Sequence, residues 1–281
     1  MKLLRYGPPG QEKPGILDNN GTIRDLAAVI PDIDASTLGK ASLERLAALD
    51  VNTLPVVGGN PRIGAPIANI GKFIGIGLNY RDHANEAKLP IPTEPIIFMK
   101  ANSCVVGPND DVVLPRQSQK VDWEVELGIV IGTRARYVGK DEALSYVAGY
   151  CVVNDVSERH FQLERGGTWD KGKGFDTFGP VGPWLVTADE VGDPQALDIW
   201  LKLNGETVQR SNTREMIFDC ATIVSYVSEL MTLMPGDVIT TGTPAGVGMG
   251  MNPQRYLRAG DALALGVQGL GEQRQRIVAE G

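Results

Sequence analysis

The sequence predicts an α+β, strand-rich fold, and three observations carry that expectation. Short apolar stretches recur between Gly, Pro, Asn and Asp, as strands do between turns. One segment alone, "TREMIFDCATIVSYVSELMTL", carries a long helical stripe, with Met216, Ile217, Cys220, Ile223, Val224, Val227 and Met231 on one face. Strands and helices do not alternate regularly, which argues against a doubly wound sheet.

The elements follow in order. "KLLRYG" and "GILD" read as short strands. "NNG" at Asn19 to Gly21 is a hairpin turn signal, and "TIRDL" is the return strand. "SLERLAALD" spaces Leu43, Leu46, Ala47 and Leu49 as a short amphipathic helix. "VVGGNPRIGAP" reads as a linker. A small N-terminal α/β module over 1–65 and a main domain over 66–281 are expected. In the main domain "KFIGIGLN", "IIFMK", "DVVLP", "VELGIVIG", "VAGYCVVND", "GPWLVT", "DIWLKLNG" and "DVITTG" read as strands. The long helix is expected to be capped by Thr213 and ended by Pro235 and Gly236.

Composition narrows the function. The chain has 281 residues, 42% hydrophobic and 22% charged, enough for a core. A net charge of −7 and the absence of a basic run argue against nucleic acid. No apolar run approaches a membrane span, and "MKLLRYGPPG" lacks the apolar region of a signal peptide. Cys104, Cys151 and Cys220 make no metal pattern and no disulfide framework, so they read as buried apolar groups in a cytoplasmic protein.

Chemistry concentrates in a few stretches. "KVDWEVELG" puts Asp122, Glu124 and Glu126 on one strand face and Trp123, Val125 and Leu127 on the other. Its continuation "LGIVIG" is apolar on both faces, so the acids run toward an interior. There they need protons, basic partners or a cation, and like charges in line weaken a sheet. A solvated polar face and a metal site both remain open. "GYCVVNDVSERHFQ" adds Asp155 at a strand mouth, either a turn cap or a third ligand. Three carboxylates would suit magnesium, manganese or calcium.

"LNYRDHANEA" spaces His83 and Glu86 on one helical face. That spacing fits a solvated face, and it also fits a general base oriented by a carboxylate. The proline-rich "LPIPTEP" beside it reads as a loop, which makes the segment a candidate lid. Lys171 and Lys173 lie in "WDKGKGFDTFGP". They read as surface lysines, or as oxyanion partners in a tight loop. "TTGTPAGVGMG" reads as a loop offering backbone N–H groups to a carboxylate.

In this order "IGLNYRDHANE", "PIIFMK", "VDWEVELGIVIG", "GYCVVNDVSER", "KGKGFDTFGPVGPWLVT" and "MPGDVITTGTPAGVG" resemble the fumarylacetoacetate hydrolase family, from about Gly71 to Gly250. The resemblance implies a mixed β-sandwich roll, a homodimer, and a divalent metal, typically magnesium, on Glu124, Glu126 and Asp155. It implies a catalytic pair of His83 and Glu86, and Lys173 at the reacting centre. Arg159, Gln162 and Thr243 match positions that hold a small 2-oxo acid. Asp122 and His160 receive no role from it. The implied reaction cleaves the C3–C4 bond of a 2,4-dioxo acid to pyruvate and a second acid. The texture is nearest to bacterial members acting on 2,4-dioxo-3-deoxy sugar acids of the fuconate or rhamnonate type. Decarboxylase, hydratase, isomerase and ureidoglycolate lyase activities belong to the same family. A catalytically silent metal-binding paralogue is the alternative of a different class.

Overall fold

The strand Val125–Ile131 is buried at all seven positions, as its two apolar faces require, and it lies inside the larger of two main sheets. The computed structural model describes residues 1–281, the side chain of Ala87 aside. Val125–Ile131 is flanked by Val147–Asn154 and Val238–Thr240. Beyond Val238–Thr240 come Phe73–Gly77 and Ile96–Lys100. Beyond Val147–Asn154 come Gly179–Thr187, Lys2–Tyr6, Lys13–Leu17 and Ile23–Asp25. Most pairs are antiparallel, but Val238–Thr240 runs parallel to Phe73–Gly77, so the sheet is mixed. The first strands extend its edge through the pairing of Leu3 with Leu185.

A second sheet orders Glu206–Asn212, Asp198–Leu203, Ala262–Val267, Gly271–Ala279 and Val112–Leu114. Between the sheets lies one hydrophobic cluster that includes Leu127, Ile129, Val152, Leu201 and Leu265. Two buried glutamines also bridge them. Gln273 Nε2 donates to Val152 O at 2.8 Å and Gly182 O at 3.0 Å, and Gln275 Oε1 accepts from Asn154 Nδ2 at 3.1 Å. The result is strand-rich α+β, as the sequence predicts.

Two expectations change in detail. The long helix is shorter than its apolar stripe, running Cys220–Leu230. Its cap is Asp219, whose side chain accepts from Thr222 N, a better acceptor geometry than a threonine six residues upstream. Thr213 sits in a 3₁₀ turn, its hydroxyl accepting from Leu197 N. "KVDWEVELG" is not one strand. Val121–Asp122 pairs with Ser157–Glu158 in a separate ladder, and the main-sheet strand begins at Val125. Across the break Asp122 and Glu124 share Arg159, while Glu124 alone also meets Lys173.

Candidate active site

Register brings the acids together. Val125 pairs with Asn154 and Glu126 with Val153, and Asp155 N–H donates to Glu124 O at 2.9 Å. Glu124, Glu126 and Asp155 each offer an oxygen within 4.8 Å of the others, and all three are buried. Thr240 Oγ1 and Gly242 N, the latter at 2.7 Å, donate to Glu126 Oε2 and fix that carboxylate from the neighbouring strand end.

Three buried cations face the acids. Lys173 Nζ lies 2.7 Å from Glu124 Oε2 and 2.6 Å from Asp155 Oδ2. Arg159 reaches Glu124 Oε1 at 2.7 Å and Asp122 Oδ2 at 2.8 Å. Lys100 Nζ bonds Asp155 Oδ1 at 2.6 Å and Lys173 O at 2.5 Å. Burial raises the pKa of Glu126, and repulsion from Asp155 and Glu124 adds to it, so it lies well above the usual carboxylate range. Burial also acts to raise Glu124, but Lys173 and then Arg159 outweigh it and hold Glu124 below its usual value. Burial acts to lower Lys173, and Asp155 and Glu124 reverse the sign and keep it charged. A hard divalent cation suits this all-oxygen donor set and would relieve the repulsion at Glu126.

His83 and Glu86 lie on the helix Arg81–Ala87, with His83 Nδ1 3.3 Å from Glu86 Oε2. Gly246 N donates to both oxygens of Glu86, at 3.0 and 3.2 Å. His83, Glu124, Glu126, Lys173, Arg159, Gln162 and Thr243 all line one cavity of about 600 Å³. Arg159 donates to Gln162 Oε1 at 3.0 Å, across the start of a π-helical turn, His160–Glu164. Thr243 Oγ1 is held between Val125 O and Gln209 Nε2.

The glycine-rich loop does offer N–H groups to carboxylates, but to three of the chain's own. Gly242 serves Glu126, Gly246 serves Glu86, and Gly248 N and Met249 N serve Asp122 at 2.7 and 3.0 Å. Asp122 therefore clips this loop to Arg159. His160 is half-buried and pairs with Glu164, outside the cavity lining. Lys171 is exposed and bonds Arg165 O and Gly166 O. The cysteines are free and buried, and burial pushes Cys104 up to about 11 and Cys151 up to about 12. Sequence reasoning passed over Lys100, Thr240 and Trp169. Lys100 left a signal: it shares the inward strand face with Phe98. Trp169 left none.

Fold and site together define a hydrolase- or isomerase-type enzyme built around a buried carboxylate centre. The chain belongs to the fumarylacetoacetate hydrolase family: residues 72–278 match the family described as "Fumarylacetoacetate (FAA) hydrolase C-terminal". A Burkholderia multivorans protein whose name goes no further than hydrolase is 63% identical over 276 residues, covering 98% of each chain. Among solved structures, maleylpyruvate hydrolase from Sphingobium sp. SYK-6, in complex with manganese(II) ion and pyruvate, is 29% identical. It covers 100% of both chains with a TM-score of 0.84. The 2-hydroxyhepta-2,4-diene-1,7-dioate isomerase from Mycobacterium marinum is 34% identical, covering 100% of this chain and 99% of that one, with a TM-score of 0.76. No helix among the described residues is long and apolar enough to cross a membrane.

Proposed function

We propose that the chain is a divalent-metal-dependent hydrolase that cleaves the C3–C4 bond of an acylpyruvate-type 2,4-dioxo acid. One observation carries this: Glu124 and Glu126 of the acid centre and His83, held by Glu86, open into the same cavity. Charge supports it. Asp122, Glu124, Glu126 and Asp155 face Lys100, Arg159 and Lys173, four buried acids against three cations. A divalent cation together with a mono-anionic 2-oxo acid brings that set to neutrality, which a buried centre favours.

Glu124, Glu126 and Asp155 would hold the cation, magnesium or manganese. When bound, it supplies a Lewis acid for the carboxylate and 2-oxo oxygens of the substrate. Arg159, Gln162 and Thr243 orient that acid. Glu86 holds Nδ1 of His83, which leaves Nε2 to take a proton from water. The water oxygen bonds to C4. Lys173 donates to the C4 oxygen as negative charge gathers there. The C3–C4 bond breaks as the C4 carbonyl re-forms, and C3 takes up a proton. One water is consumed, and pyruvate and one carboxylic acid leave.

The Mycobacterium marinum neighbour favours a second reading, isomerisation of a 2-hydroxydienoate. Heavy-oxygen water separates the two. Hydrolysis puts one labelled oxygen into the carboxylate of the distal acid and releases pyruvate. Unlabelled product of unchanged mass would replace hydrolysis with isomerisation.

A further inference from the structure

The cavity has two unlike ends. The lysine and arginine side chains lining it, among the described residues, are Arg159 and Lys173, and both are already paired with acids at the inner end. The mouth is lined by Leu89, Ile91, Leu163 and Trp169, with Pro90 and Pro92 on either side of Ile91. Leu89, Ile91 and Leu163 are 52%, 54% and 48% exposed. Single exposed apolar residues are common, but these three converge on one opening.

Trp169 forms the wall that joins the two ends. A Cβ at Gly77 would lie 2.2 Å from its ring, so a glycine is required for the ring to seat there. Its ring centroid is 5.7 Å from that of Phe98, whose own ring fills the space over Gly75. Phe98 in turn lies under Lys173 Nζ, 4.8 Å from the ring centroid. Trp169 directly precedes the helix Asp170–Lys173, and Asp170 Oδ1 accepts from Met99 N at 2.8 Å. The turn that carries the reacting lysine therefore also holds the wall in place.

We propose that the mouth is an apolar acyl subsite with Trp169 as its specificity-determining residue, so that the substrate's distal group is an uncharged aliphatic or aromatic chain. This rests on the reading that the inner end anchors a 2-oxo acid. A distal carboxylate there would lose its water without gaining a cation, and a polyhydroxyl chain would lose hydrogen bonds. An apolar chain gains by leaving water against Leu163, Ile91 and the indole face.

The test uses two probes of equal length, 2-oxooctanoate and 2-oxooctanedioate, titrated calorimetrically into the manganese-loaded protein. The monoacid is expected to bind about tenfold tighter or more. Trp169→Ala is expected to bring the two affinities within about threefold. Should that variant misfold, Leu163→Ala carries the same comparison. Equal or tighter binding of the diacid overturns the proposal, as do failure of both probes to bind and an unchanged ratio in both variants. Cleavage is read separately, as pyruvate release from hexanoylpyruvate. A retained binding preference without pyruvate release removes the hydrolase reading and leaves the subsite standing.

Discussion

At the inner end of the cavity Glu126 sits on a strand buried at every position, while at the mouth Leu89 and Ile91 ride a proline-containing connection and stay more than half exposed. The inner groups come from neighbouring sheet strands and their ends, and each carboxylate is held by at least two donors. The mouth groups come from the connection after one short helix, a π-helical turn and the residue before another short helix. Rigid sheet ends suit electrostatic work, where a small displacement is costly. Loop-borne side chains can change without disturbing the sheet, which suits choice among distal groups. The comparison predicts that substitutions inside act on rate and cation affinity, and substitutions outside act on KM.

The largest effect is expected at His83. His83→Ala should lower kcat by about 10²–10⁴-fold and leave manganese affinity intact, because the imidazole acts on water. Near-normal turnover would move the general base elsewhere. Glu126→Gln keeps the shape and removes a charge. Manganese affinity by calorimetry should fall about 100-fold or more, since a ligand matters at least as much as the groups that orient it. Equal affinity would break the assignment of the acid centre.

Lys100→Met sharpens the contrast further. Lys100 does not itself line the cavity, yet it holds Asp155 and the main chain of Lys173. Removing it leaves a buried acid with one cation fewer, so the metal-free protein should melt lower. Cation affinity should fall about 10–100-fold, as for other groups that orient a ligand. Added manganese should raise the melting temperature of the variant less than that of the wild type, whereas a purely structural lysine would leave the manganese-induced rise unchanged. The smallest effect belongs to the mouth. Leu163→Ala should raise KM about fourfold for each methylene it no longer covers on an apolar acylpyruvate, with kcat held. A loss of kcat instead would mean that the mouth takes part in the chemistry.

The same contrast explains what could be read from the sequence. The inner end was legible because its acids sit in apolar strands, where a charge needs a reason. Glu126 inside "VELGIVIG" and Asp155 after "GYCVVN" announced themselves. The mouth was illegible because Leu, Ile and Trp in loops carry no spacing that tells a wall from a surface. The C-terminal strand Gly271–Ala279 was hidden for a different reason. Two of its three buried positions are Gln273 and Gln275, so the expected apolar alternation is missing where amides bridge the sheets. The helix start was misplaced because the apolar stripe runs back through Met216 and Ile217, and only Asp219 has the geometry to cap. The purpose of the glycine-rich loop was legible in kind, as a donor of N–H groups, but not in target.

That loop has a consequence for how the protein can be altered. Gly246 grips Glu86 on the helix that carries His83, and two residues on Gly248 grips Asp122, which holds Arg159 against Glu124. Helix, loop and acid centre form a single mechanical linkage, with residues 246–249 as its coupling rod. A helix borrowed from another family member would have to bring its own matching rod. A newcomer that seats its glutamate out of reach of Gly246 N would loosen the loop, and the slack would travel through Asp122 and Arg159 to the one side chain, Glu124, that the graft was meant to leave alone.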